Sequence, residues 1–177
     1  KNHNGGYYPT DRDMIARRRR GLQFPEGVPP NLLDPCGGCG KALRQLAGGN
    51  TCFASGVELD ESRAGEAQTR LHRVGFGSFF FSRISRGAFH LLFLNPPYLS
   101  VLNGSGGQSR HEKRLLIESI GHLTYGGLPV YVIPYYRLTP DICRILLDNF
   151  EALSVWRFTD GEVKRSKQVA VLGLRKR

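Results

Sequence analysis

Two short stretches carry residue types whose spacing suits chemistry. In Asn95-Pro96-Pro97-Tyr98, two consecutive prolines fix φ and remove two backbone donors, so the turn is stiff. Such a turn aims the Asn95 amide oxygen and the Pro96 carbonyl at one point. Two aimed acceptors suit a planar NH2 group: each takes one N–H bond, and lone-pair density on the nitrogen builds toward an electrophile. Tyr98 follows with a flat face for stacking a planar substrate. The alternative is an ordinary strand-terminating turn; what weighs against it is the motif's place after a buried strand and after a glycine-rich turn with an acidic partner.

The second stretch is Asp34-Pro35-Cys36-Gly37-Gly38-Cys39-Gly40. Its glycines permit unusual φ angles and let a ligand approach the backbone. Twenty residues beyond Gly38 stands Glu58, in Gly56-Val57-Glu58-Leu59-Asp60. A carboxylate at that spacing, at the end of a second strand, accepts both hydroxyls of an adenosine ribose. The pair points to a nucleoside-bearing cofactor. The dinucleotide pattern GxGxxG fails, because Leu43 stands where the third glycine belongs. Cys36 and Cys39 have the spacing of a redox pair, and with Cys52 and Cys143 they complete the four cysteines. A structural zinc site would want a second Cys or His pair, and none is suitably spaced.

Alternating strand and helix patterns must position these stretches. Strands are expected at 31–34, 53–59, 78–81, 90–95, 129–133, 152–158 and 168–175. Helices are expected at 11–20, capped by Thr10, and at 41–47, 61–74, 110–123 and 140–150. That alternation predicts a doubly wound α/β domain with a mostly parallel sheet and an antiparallel closing strand. Ligands of such sheets bind at the carboxyl ends of the strands, where both stretches fall. Residues 1–30 read as an N-terminal segment and linker, and 31–177 as the α/β core of a single domain.

Composition narrows the partners. The 177 residues are 40% apolar and 10% aromatic, which excludes a disordered chain. No run of about 18 apolar residues is present to span a membrane. Neither a signal peptide nor a disulfide framework is evident, so reduced thiols and a cytoplasmic setting are expected. The chain begins at Lys1 and reads as a fragment. Twenty-five Lys and Arg against 15 Asp and Glu leave +10, a charge that attracts polyanions, nucleic acid first among them. Arg17, Arg18, Arg19 and Arg20, with Lys164, Arg165 and Lys167, are candidate phosphate contacts, although solvated basic faces would look the same.

The order DPxxGxG, acidic strand end, NPPY resembles class I S-adenosylmethionine-dependent methyltransferases that methylate amines, most closely the adenine-N6 DNA enzymes with an N-terminal cofactor motif. The resemblance covers nearly the whole chain. It implies a Rossmann-like three-layer sandwich with seven strands in the order 3-2-1-4-5-7-6. It also implies S-adenosyl-L-methionine as cofactor and no metal. Gly6-Tyr7-Tyr8-Pro9-Thr10 is similar to the motif lining the methionine end, so Tyr8, Pro9 and Thr10 become cofactor contacts. Asp34, Pro35, Cys36, Gly38 and Gly40 match the first motif, Glu58 and Leu59 the ribose motif, and Asn95, Pro96, Pro97 and Tyr98 the catalytic motif, with Asn95 also expected to touch the cofactor. Two departures stand out. Ser78 occupies the position of an acidic residue that contacts the adenine amine, with Phe79 beside it as either a ring to pack on adenine or a core side chain. A target-recognition domain is absent from these residues, which puts target recognition outside this chain; Leu99–Ser109 reads as a short loop over the site. Related NPPY enzymes methylate RNA bases or a protein glutamine, and a non-catalytic nucleic-acid-binding module of the same fold is a further alternative.

Overall fold

The computed structural model describes residues 27–97, 105–157 and 167–177, with side chains from 111 onward in the helix that opens at 105. Within them lie strands β1 (Asn31–Asp34), β2 (Phe53–Glu58), β3 (Arg73–Phe76), β4 (Phe89–Leu94), β5 (Leu123–Pro134), β6 (Phe150–Arg157) and β7 (Gln168–Arg175). Helices α1 (Lys41–Ala47), α2 (Glu61–Gln68), α3 (Ser105–Ile120) and α4 (Pro140–Asn149) connect them. The strands form one sheet in the order β3-β2-β1-β4-β5-β7-β6. The first five are parallel, and β7 runs antiparallel to both β5 and β6. This is the Rossmann-like methyltransferase sheet, in the expected order.

The inner strands are apolar because both sheet faces are covered. On one face Leu32, Ala54, Leu91, Phe93, Val130 and Val132 pack with Leu43 and Leu46 of α1 and Ala67 of α2. On the other, Leu33, Val57, Leu92, Leu94, Tyr131 and Ile133 pack with Leu115, Leu116 and Ile120 of α3 and with Ile142 and Leu146 of α4. Residues one apart on a strand thus serve opposite layers. Local chemistry sets the helix starts. Asp60 caps α2 by accepting the Arg63 N–H at 2.9 Å. Thr139 caps α4, with Pro140 in the first turn, where its missing N–H costs nothing.

Several boundaries differ from expectation. The helix expected over 61–74 stops at Gln68, and Arg73–Phe76 forms the edge strand β3. Only one neighbour covers that strand, so its residues are largely exposed and show no apolar alternation. Phe79–Phe81 makes a 3-10 turn rather than a strand. One ring of that run, Phe79, turns into the core, while Phe81 is 90% exposed. β5 starts earlier than its apolar run because Thr124–Gly127 joins the edge through a register shift against Phe89–Leu91.

Candidate active site

The glycine turn is stitched to the end of β2. Gly37 N–H donates to the Val57 carbonyl at 2.8 Å, and Gly40 N–H closes onto the Gly37 carbonyl at 2.8 Å. Gly38 and Gly40 have φ of 51° and 76°, a left-handed backbone that favours glycine. A Cβ at Gly40 would lie 3.0 Å from Leu71 Cγ and 3.4 Å from Ala67 Cα, so a side chain there would crowd α2 as well as strain the backbone.

Glu58 is the hub of this turn. It is buried, and its Oε2 accepts the Gly38 N–H at 2.8 Å. Its Oε1 accepts the Asp60 N–H at 2.8 Å and a fork from Arg63, Nη2 at 2.8 Å and Nε at 3.2 Å. Three donors on Oε1 and one on Oε2 leave Oε2 with capacity for another hydroxyl among the described residues. Arg63 was not legible as a site residue. Its signal is position: the third residue of a helix that starts three residues after Glu58 can reach back over the cap.

Asp34 closes β1 and is also buried. It accepts the Cys36 N–H at 3.0 Å, and no cation is paired with it among the described residues. Burial, reinforced by the nearby Glu58 charge and only partly opposed by the Cys36 N–H, pushes its pKa up to about 7. The same burial, with the Asp34 and Glu58 charges, pushes the Cys36 thiol far up. A thiol held protonated is a poor redox nucleophile, and Cys36 and Cys39 are free thiols. Among the described residues no cluster of three His, Cys, Asp or Glu side chains could hold a metal ion. No helix among them is long and apolar enough to cross a membrane.

Ser78 follows Gly77, whose N–H donates to the Glu58 carbonyl at 2.9 Å. Phe79 is buried in the core, edge-on to Phe80 and to His122 with centroids 5.8 and 5.5 Å apart. Leu59 is 70% exposed and Pro35 is buried at the turn. Across the end of β1 from Glu58 lies β4, whose Leu94 pairs with Tyr131. One residue further, Asn95 is half-buried, Pro96 buried and Pro97 exposed. Strands are spaced about 4.8 Å apart, so Glu58 and Asn95 flank the glycine turn roughly 10 Å apart laterally. Tyr8, Pro9, Thr10, Arg17–Arg20, Tyr98, Lys164 and Arg165 lie outside the described residues. Lys167 is exposed at the start of β7.

The sheet order, the antiparallel β7 and a glycine turn tied to a carboxylate at the next strand end define a Rossmann-like methyltransferase. The chain belongs to the Uncharacterised methyltransferase family (DUF6094), whose model matches residues 1–177. No curated protein matches it by sequence. Among solved structures, tRNA (m1A58) methyltransferase TrmI from Aquifex aeolicus aligns with a TM-score of 0.63 at 14% identity, covering 97% of this chain and 70% of that one. The N-terminal domain of human METTL16 in complex with SAH gives 0.65 at 15% identity, covering 95% and 72%. An RNA methyltransferase from Salinibacter ruber in complex with S-adenosyl-L-homocysteine gives 0.60 at 14%, covering 96% and 94%. At such identities the likeness is one of fold.

Glu58→Ala removes the acceptor of the Gly38 and Asp60 N–H groups together with the Arg63 partner. Affinity for the methyl donor, measured by calorimetry, is expected to fall by about 1–3 kcal/mol, the usual effect of deleting a charged hydrogen-bond acceptor. An unchanged dissociation constant would remove Glu58 from the donor site.

Proposed function

We propose that the chain transfers a methyl group from S-adenosylmethionine to an exocyclic amine of a nucleic-acid base, with adenine N6 in DNA as the substrate its motif order favours. One observation supports this reading: β2, which ends in Glu58 bonded to the glycine turn, and β4, which leads into Asn95-Pro96, are the two parallel neighbours of β1, so both groups lie at the same edge of the sheet. A donor held on the first is presented to an amine held on the second.

The chemistry of the turn fits this donor. Asp34 and Glu58 are two buried carboxylates, and burial together with the Glu58 charge pushes the Asp34 pKa up to about 7. S-adenosylmethionine brings an ammonium and a sulfonium to that neighbourhood and a ribose hydroxyl to Glu58 Oε2. When bound, it supplies a methyl group on a sulfonium whose positive charge disappears on transfer. The chain's own residues do the positioning. Asn95 Oδ1 and the Pro96 carbonyl accept the two N–H bonds of the target amine and hold its lone pair in line. Tyr98 stacks on the base. A base within a duplex reaches these groups only after flipping out of the stack. Arg17–Arg20, Lys164, Arg165 and Lys167 serve as phosphate contacts.

RNA is the second reading. The specific observation favouring it is the fold likeness to enzymes described as tRNA and RNA methyltransferases. Calorimetry with S-adenosylmethionine against a nicotinamide dinucleotide tests the donor. Methyl transfer from labelled donor into DNA, RNA and peptide pools then tests the acceptor. Donor binding with label in DNA or RNA supports the proposal. Label in peptide alone, or nicotinamide binding in place of the sulfonium donor, overturns it. Replacing Arg17–Arg20 with Ser is expected to flatten the salt dependence of DNA binding, the slope shrinking by about 0.9 for each phosphate these side chains neutralise. An identical slope would reduce these arginines to a solvated face.

A further inference from the structure

We infer that the rim at the carboxyl ends of β5 and β6 is a stacking surface for single-stranded nucleic acid, centred on Tyr135 and Tyr136. This inference rests on the proposed base methylation and names the form of the substrate.

The register places the pair. Leu94, the last residue of β4, lies opposite Tyr131 of β5 in a parallel pair, so β5 runs past the end of β4 and Tyr135 leaves it at the sheet edge where the Asn95–Pro97 turn also lies. The residues before it, Val130 to Ile133, are buried on alternating faces. At Tyr135 and Tyr136 the pattern breaks: the rings are 54% and 59% exposed, 5.9 Å apart and nearly perpendicular at 83°. The backbone beneath them is anchored. Tyr135 N–H donates to the Lys167 carbonyl at 2.9 Å, Arg137 pairs with the buried Glu112 at 2.7 Å, and Leu138 packs on the core. Two large rings held out on a fixed turn give up little freedom when a flat partner covers them.

Charge selects the partner. Arg157 and Lys167 are exposed on the same rim, at the end of β6 and just before β7. Nearby carboxylates are neutralised, Glu112 by Arg137 and Asp141 by Lys113. Aromatic faces among cations suit unstacked bases on a phosphate backbone. A duplex with one flipped base offers a single unstacked base, whereas perpendicular rings at that sheet edge have faces for neighbouring bases too. Single strands supply them without the cost of unpairing.

Fluorescence anisotropy of the full chain with matched single-stranded and duplex oligonucleotides, in DNA and RNA arms, tests this. The single strand is expected to bind at least about tenfold more tightly, and Tyr135→Ala or Tyr136→Ala to weaken it by about 5- to 150-fold each. Tyr135→Phe and Tyr136→Phe are expected to keep the affinity, since stacking needs no hydroxyl. The salt slope should hold in the alanine variants and decrease in Arg157→Ser/Lys167→Ser. Duplex binding equal to or tighter than single-strand binding overturns the inference, as does wild-type affinity in the Tyr135→Ala/Tyr136→Ala double variant. Calorimetric donor binding keeps the two readings apart: its absence in the wild type sinks the methyl-transfer reading, while its presence without strand preference sinks this one alone.

Discussion

Asn95→Ala is expected to transfer methyl on the order of a hundredfold or more slowly than wild type while binding the donor with nearly unchanged affinity. The size follows from removing one aimed polar group that acts as the amine becomes nucleophilic. Donor affinity survives because Asn95 lies just past the end of β4, whereas the donor's ribose and ammonium are assigned to the β1 and β2 ends. Strand β4 persists in the variant, since its buried run Leu91–Leu94 packs on both faces independently of the residue that follows. Asn95→Asp keeps an acceptor oxygen and adds charge, so residual activity above the alanine variant is expected. The assay is single-turnover transfer of labelled methyl, with calorimetry as the binding control. Wild-type turnover in Asn95→Ala would move the acceptor role to another residue.

The second expectation concerns pH. Asp34 titrates near 3.8 in an ordinary setting and near 7 in the folded, donor-free chain. Between those values the folded state holds a proton that the unfolded chain has released. Folding stability therefore falls as pH rises from about 4 to about 7, by up to the order of 4 kcal/mol from this one group. Asp34→Asn is expected to remove that slope and to be more stable than wild type at pH 7 when no donor is present. Donor binding has the opposite sign. A cationic donor selects the ionised carboxylate, so affinity should climb by nearly tenfold per pH unit between about pH 5 and 7, then level off. In Asp34→Asn the climb should vanish and the affinity at pH 8 should drop. Denaturant melts and calorimetry across pH 5–8 measure both slopes. A donor affinity independent of pH in the wild type would show that Asp34 does not meet the donor's charge.

Much of the site was legible because each part of it is a local event at a strand end. Asn31–Asp34 and Gln168–Arg175 have the predicted bounds, since short apolar runs bounded by turn residues leave little choice of period. The glycine turn and Glu58 could be paired from their spacing as parts of one ligand site, whereas the hydrogen bond that joins them directly emerged only from the structure. The third strand was not legible. Its residues are mostly exposed, and the adjacent Phe79-Phe80-Phe81 run imitates a strand more convincingly than Arg73-Val74-Gly75-Phe76 does. Phe79 illustrates the limit: its place in sequence suited a ring against adenine and a core side chain equally, and only the structure shows it buried edge-on to Phe80 and His122.

The sequence by itself determined which residues end the strands, and so which functional groups meet at one edge of the sheet: Asp34, the glycine turn, Glu58 and Asn95–Pro97. Alternation and turn chemistry are short-range, so a linear reading captures them. Only the tertiary structure decided what those groups experience. Asp34 gains its raised pKa from burial and from Glu58, twenty-four residues away along the chain. Arg63 reaches Glu58 only once α2 folds back over its own cap. Tyr135 and Tyr136 stay exposed because Arg137 and Leu138 are drawn inward by Glu112 and the core. Burial, charge and exposure are sums over neighbours distant in sequence, and no local pattern contains them.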